Sequence, residues 1–319
     1  MKVTLNLLIT NQGSVPVLTL ASSPVLYPLT DRAVIGLTGA DRTKYLQGQV
    51  TCDVSKLTPG DATAGGHCDS KGKLWASFWL ANLGEQLLLV LNRSLVERQL
   101  PELKKFAVFA NTEVEDVSPH WQVFGLAGEG LSHWLNHQVG DGNLWQGGIV
   151  IPVAAEHALL LLPQGAELPE PSELPRGSEQ EWQGLMIHVG LPDMSAEHQG
   201  EYIPQMLNLQ AIGGISFTKG CYMGQETVAR AKYRGANKKA MFVLAGTATG
   251  DIIANQDLEL QLGDNWRRAG TVLSVWQQGD ECLLTAVLNK DLETDAVFRL
   301  KGQEDSRLSL QPLPYDLID

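Results

Sequence analysis

The stretch Asn208-Leu-Gln-Ala-Ile-Gly-Gly-Ile-Ser-Phe-Thr-Lys-Gly-Cys-Tyr-Met-Gly-Gln-Glu-Thr-Val-Ala-Arg230 is the most informative segment of this chain. Gly213-Gly214 and Gly220 flank an apolar segment and predict two tight turns, since glycine enters left-handed backbone without steric cost. A helix is expected from Gln225 to Tyr233, with Glu226 and Arg230 spaced i, i+4 for pairing. Cys221 lies between Lys219-Gly220 and that helix. An ammonium group and a helix N-terminus both stabilise a thiolate. Cys221 therefore reads either as a functional thiol or as a buried cysteine in a glycine-rich turn.

Working outward, residues 219–239 hold Lys219, Arg230, Lys232, Arg234, Lys238 and Lys239 against Glu226 alone. Such a cluster suits a carboxylate-rich or phosphate-bearing ligand, or is a solvated face. It stands out because the whole chain carries a formal charge of −12. That acidity repels polyanions at long range, so direct tRNA binding and membrane-surface binding are disfavoured. With 319 residues, two domains are expected, and 44% hydrophobic with 19% charged residues excludes disordered and coiled-coil classes. Cys52, Cys68, Cys221 and Cys282 form no CxxC pair, which argues against a disulfide framework and a metal or cluster site. Asn6 and the polar run Asn11 to Ser14 interrupt the apolar start of the chain, so no secretory leader is expected. A cytoplasmic protein is the expectation.

The flanking pattern is α+β followed by β. Strands are expected at Leu74–Leu80 and Gln86–Asn92 about the turn Asn82-Leu83-Gly84, at Trp121–Leu126, Ile149–Val153 and His157–Leu162. Helices are expected at Asp41–Gln47, Ser94–Phe109 and Glu129–His137, with Pro101 kinking the second or starting another. Pro163, Pro169, Pro171 and Pro175 mark a linker. Ser178 and Glu181 then have capping-box spacing, and Trp182, Leu185, Met186 and Val189 form an apolar helix face. From about residue 240, short strands at Ala240–Ala245, Leu258–Leu262, Thr271–Trp276 and Cys282–Leu288 predict a small barrel or sandwich. The expected division is 1–239 for the body and 240–319 for the β domain.

Other chemistry is set aside on spacing. Gly66 to Lys73 has one residue too many for a phosphate-binding loop, and Leu74 replaces its Ser/Thr. His133 and His137 share a helix face but have no nearby third ligand, so a solvated face is the better reading.

Lys219-Gly-Cys-Tyr-Met-Gly-Gln-Glu226 resembles the KGCYxGQE signature of the YgfZ family of folate-binding proteins. The likeness extends to Asn208-Leu-Gln, Gly213-Gly-Ile-Ser-Phe217 and Val228 to Gly235, and to Gly39-Ala-Asp through Gly48-Gln49. It also takes in Cys68-Asp69 with Lys71-Gly-Lys73, and Asn265 to Val272. The resemblance implies a fold similar to the T-protein of the glycine cleavage system, a ring of three subdomains around a folate-sized opening, the last a β-barrel. It implies folate (tetrahydrofolate or a derivative) as cofactor, with iron–sulfur enzymes such as tRNA methylthiolases as partners, and a link to replication control through DnaA. Its site residues would be Cys221 as functional thiol with Lys219, Tyr222, Gln225 and Glu226. Folate binding in the family involves tryptophans; Trp182 has a matching context, while a second such position falls at Arg32 here.

The resemblance favours a folate-dependent accessory factor in tRNA modification over a conventional enzyme. An aminomethyl transferase is the alternative, although methylene transfer calls for a carboxylate rather than a thiol. A pure tRNA-binding module ranks third because of the net charge.

Overall fold

The computed structural model describes residues 18–139, 143–170, 172–235 and 237–317. The leader reading at Met1 to Ser14 and Pro171 of the linker lie outside them. The body supplies β1 (Val25–Pro28), β2 (Arg32–Thr38), α1 (Arg42–Gln47), β3 (Ala62–Cys68), β4 (Leu74–Asn82), β5 (Leu87–Asn92), α2 (Val96–Lys104) and β6 (Glu113–Asp116). It continues with β7 (Trp121–Ala127), α3 (Leu131–Gln138), β8 (Leu144–Trp145), β9 (Gly148–Ala154), β10 (His157–Pro163), α4 (Glu179–His188) and α5 (Gln225–Tyr233). Then come β11 (Lys239–Thr247), β12 (Asp257–Leu262), β13 (Asn265–Gln278), β14 (Glu281–Asn289), β15 (Val297–Leu300) and β16 (Gln303–Gln311).

The run Leu87–Leu91 is buried at every position, which requires cover on both faces of its sheet. That sheet has the order β3-β4-β5-β2-β6, with β5 at its centre. Leu87, Leu89 and Leu91 point into one core with Ile35, Leu37 and three barrel residues, Met241, Leu273 and Val287. Leu88 and Val90 point the other way, into a core shared with Val123, Ile151, Leu161 and Trp182. The second sheet, β1-β7-β10-β9-β8, supplies most of that second core. On α4, Ile187 packs with Val243 and Trp276 of the barrel. The first sheet thus shares a core with the barrel and another with the second sheet, and α4, which contacts β1 as well as β13 and β14, bridges the second sheet to the barrel.

The barrel is closed in the order β11-β14-β13-β12-β15-β16, with Val243 to Thr247 of β11 pairing back onto Gln311 to Arg307 of β16. Closure removes the free edges that a sandwich would leave. The sequence pattern missed β15 and β16. In β16 only Ser306 and Leu308 are buried, too sparse an alternation to mark a strand.

Helix α4 forms with its box in place: Ser178 Oγ accepts from the Glu181 amide, and the Glu181 carboxylate accepts from the Ser178 amide at 2.7 Å. The helix expected over Ser94–Phe109 is instead split into a 3₁₀ turn, α2 and a second 3₁₀ turn at Ala107–Phe109. Pro101 neither breaks nor restarts α2. It removes one donor, to the carbonyl of Glu97, and that residue is exposed where water can replace it.

Candidate functional site

The signature segment is tied down by backbone contacts from distant parts of the chain. Lys219 is 9% exposed and its ammonium donates to the carbonyls of Gln47 at 2.6 Å, Val50 at 2.8 Å and Cys52 at 2.7 Å. Burial pushes this group down to about 8, still protonated at neutral pH. Its three N–H bonds are all engaged, so none is left to hold a Cys221 thiolate. Lys219 thereby clamps the 47–52 turn, a role beyond the thiol neighbour expected from its place in the sequence. Tyr222 is buried with its ring centroid 5.1 Å from the same ammonium, and burial raises its phenol pKa. The Met223 amide donates to the Gly48 carbonyl at 3.1 Å.

Gly224, at φ +80°, caps the start of α5. A Cβ there would lie 2.6 Å from the Asp69 carbonyl and 3.0 Å from Cys68 Cβ, so the turn 69–73 packs directly on this residue. Three sequence flanks (Gly48-Gln49, Cys68 to Lys73, and the signature) thus meet at one place. Gly213 takes the left-handed conformation expected of a turn, whereas Gly220 does not.

Among the four cysteines, Cys221 alone is exposed. Burial pushes the thiols of Cys52 and Cys282 up to about 12 and that of Cys68 higher still. Glu226 pairs with Arg230 at 2.5 Å on the exposed face of α5, and Gln225 is the first residue of that helix. Such an exposed pair contributes only about 0.3–0.5 kcal/mol. The segment presents a thiol; Lys219 and Tyr222 support it from beneath.

Trp182 and Arg32 lie elsewhere, in one cleft between the two body sheets. Phe78, Trp79, Ile212 and Asp193 also line it, and neither Cys221 nor Arg230, Lys232, Arg234, Lys238 or Lys239 does. The Trp182 ring is 2% exposed and sits over β7 at Gly125, where a Cβ would come within 2.3 Å of the indole. Its centroid is 5.8 Å from that of Tyr27. Trp182 is therefore both core and cleft wall.

The polar end of the cleft is an ion pair. Arg32 donates to both carboxylate oxygens of Asp193, at 2.8 and 2.6 Å, and its side chain is 12% exposed. Burial would lower the Arg32 pKa, but Asp193 outweighs it and keeps the guanidinium charged. Asp31 next to it is pushed up to about 7, mainly by burial. Arg32 Nε and Asp31 Oδ1 are 3.1 Å apart, yet neither makes a well-directed hydrogen bond. Glu179 is also buried in part, but accepting from Thr30 and Asp31 lowers its pKa. Sequence reading missed Asp193, because 161 residues separate it from Arg32 and no spacing rule links them.

On the class of protein, three packed β units closing on a C-terminal barrel are the T-protein architecture. The solved structure of glycine cleavage system aminomethyltransferase T from Bartonella henselae matches with a TM-score of 0.69 at 15% identity. The match spans 92% of this chain and 86% of that one, and establishes the fold. Residues 237–304 match the family model for the YgfZ β-barrel domain. A tRNA-modifying protein YgfZ from Yersinia pestis (strain Pestoides F) is 43% identical over 312 residues, covering 92% of this chain and 93% of the relative. Another from Pectobacterium carotovorum subsp. carotovorum (strain PC1) is 43% identical over 311 residues, covering 93% of each. The chain belongs to the YgfZ family. Among the described residues no helix is long and apolar enough to cross a membrane.

Proposed function

We propose that this protein is a folate-binding factor that supports modification of certain tRNAs. In this reading folate occupies the Trp182–Arg32 cleft, Cys221 acts as a functional thiol, and the clients are iron–sulfur enzymes such as tRNA methylthiolases. A link to DnaA-dependent replication control is part of the same proposal. The supporting observation is the cleft itself: Trp182 and Arg32, singled out separately in the sequence, line one space. Apolar faces from Phe78, Trp79 and Trp182 suit a flat heterocycle, and Arg32 with Asp193 puts a charged, hydrogen-bonding end on the same cleft for a ligand with polar edges. Bound folate would supply one-carbon carrier chemistry; Trp182 would hold its ring, and Arg32 with Asp193 would orient its polar edge.

Aminomethyl transfer is the second reading and rests on the fold. The one carboxylate lining the cleft, Asp193, has both oxygens held by Arg32, an arrangement that leaves it poorly placed as a proton acceptor. Tetrahydrofolate titration against tryptophan emission, with a parallel assay of one-carbon turnover, tests both readings. Binding without turnover is expected, and turnover would favour the transferase. In cells lacking their own family member, this chain should restore methylthiolated tRNA and the Cys221→Ser variant should not. Full restoration by that variant would remove the thiol from the proposal.

A further inference from the structure

The net charge argues against polyanion binding, but the fold gathers cations that are scattered in sequence onto one face. The turn 69–73 sits on the first turn of α5, where a Cβ on Gly72 would lie 2.7 Å from Thr227 Cβ. Lys71 and Lys73 are thereby placed beside α5, which carries Arg230 and Lys232 in its last turn and Arg234 at its C-cap. A groove of about 210 Å3 between body and barrel continues the face, lined by Lys73, Lys239 and Arg268 with Glu201, Tyr202, Asn255 and Thr271.

The carboxylates nearby do not cancel this charge. Glu226 is paired with Arg230 and Asp257 with Arg268. Asp69 accepts from the Lys71 and Lys73 amides, and the Lys73 ammonium donates to a backbone carbonyl, that of Glu201. With Glu201 and Asp69 set against two of them, Lys71, Lys73, Lys232, Arg234, Lys238 and Lys239 still leave the face cationic. Aromatic surface is interleaved with the charge. The Lys232 ammonium lies 3.7 Å from the Phe217 ring centroid, and Tyr233 is 69% exposed.

From this juxtaposition we propose that the face running from Tyr233 to Arg268 is an RNA-docking surface. Separated cations match a phosphodiester backbone, and an exposed ring gives an unpaired base a surface to stack on. An acidic protein segment would use the charges but has no need of the exposed ring. Long-range repulsion from the rest of the chain is confined by a Debye length of about 8 Å at physiological salt, so the local face governs close contact. Because the Cys221 loop leads into α5, a docked RNA lies on the element that presents the thiol. The inference deepens the tRNA-modification reading but is independent of the folate cleft, which contains none of these residues.

The test is fluorescence anisotropy of an end-labelled, unmodified tRNA transcript with the full chain, repeated across salt concentrations. Affinity should fall with salt with a log–log slope of about −2 or steeper, since each phosphate contact adds about −0.7 to −0.9. Arg234→Glu with Lys239→Glu should weaken binding about tenfold or more at low salt and flatten that slope. Tyr233→Ala should weaken binding to an unpaired loop more than to a duplex, and Tyr233→Phe should restore it. Lys104→Glu with Lys105→Glu, at the C-terminal end of α2, should change nothing. Tetrahydrofolate titration of every variant should match the parent, which separates loss of the face from unfolding. Failure to bind tRNA at low salt, parent-like binding by the Arg234/Lys239 double variant, or binding of an acidic peptide in place of tRNA would each overturn the proposal. Loss of folate binding alone, with tRNA binding intact, would overturn only the cofactor reading.

Discussion

Replacing Lys219 by Met separates a structural clamp from an activator of the thiol. The substitution keeps most of the side-chain volume and deletes the ammonium that donates to the carbonyls of Gln47, Val50 and Cys52. A hydrogen bond from a charged donor contributes about 1.5–3 kcal/mol net, and a buried acceptor left unpaired costs about 1–3 kcal/mol. Three such bonds would suggest a larger loss than will be seen, because relieving the buried ammonium of its desolvation cost offsets part of it. The expected net destabilisation is about 3–5 kcal/mol, from up to three buried carbonyls left unpaired at about 1–3 kcal/mol each, less the recovered desolvation cost of the ammonium. Against a total stability of about 5–15 kcal/mol this is a large fraction. The assay is urea unfolding followed by tryptophan emission, comparing midpoints at an unchanged slope. Lys219→Arg should fail similarly, because a planar fork cannot direct three donors at carbonyls converging on one nitrogen. A loss below about 1 kcal/mol would refute the clamp and return Lys219 to the thiol.

Pulsed alkylation should label Cys221 first, because Cys52, Cys68 and Cys282 are buried and their thiolates are disfavoured; faster labelling of any of those three would contradict the structure. Trp182→Phe should reduce tetrahydrofolate affinity about two- to tenfold, from lost stacking of roughly 0.5–1.5 kcal/mol, and should weaken the emission change; unchanged values in both would make Trp182 core only. Burial holds His198 below the usual histidine range, with Nε2–H donating to Val272 O at 3.1 Å and Nδ1 accepting from the Ser195 amide. The unfolded chain therefore binds the proton more readily, so this contribution is present above about pH 6.5 and is lost as pH falls below it. Asp31, raised to about 7, acts in the opposite direction, so the readout is the difference between the parent and His198→Gln stability profiles from pH 7.5 to 5.5. Parallel profiles would rule the effect out.

Much of the local structure was legible because its determinants are neighbours in the chain. Ser178 and Glu181 form their capping box through residues three apart. Helix α5 runs over Gln225–Tyr233, as the i, i+4 spacing suggested, and Asn82-Leu83-Gly84 turns β4 into β5. The signature residues also marked where distant flanks converge. Their roles were not legible. Nothing near Lys219 in sequence shows that its ammonium is directed to the carbonyls of Gln47, Val50 and Cys52, because those oxygens reach it only when the chain folds. The Arg32–Asp193 pair and the barrel seam between β11 and β16 are of the same kind. Local spacing determined elements, caps and turns, since those depend on backbone geometry within a few residues. Which groups share a cleft, which cation is buried, and which charges gather on one face despite a net −12 were decided by packing. Packing satisfies buried polar groups across gaps in sequence that no periodicity spans.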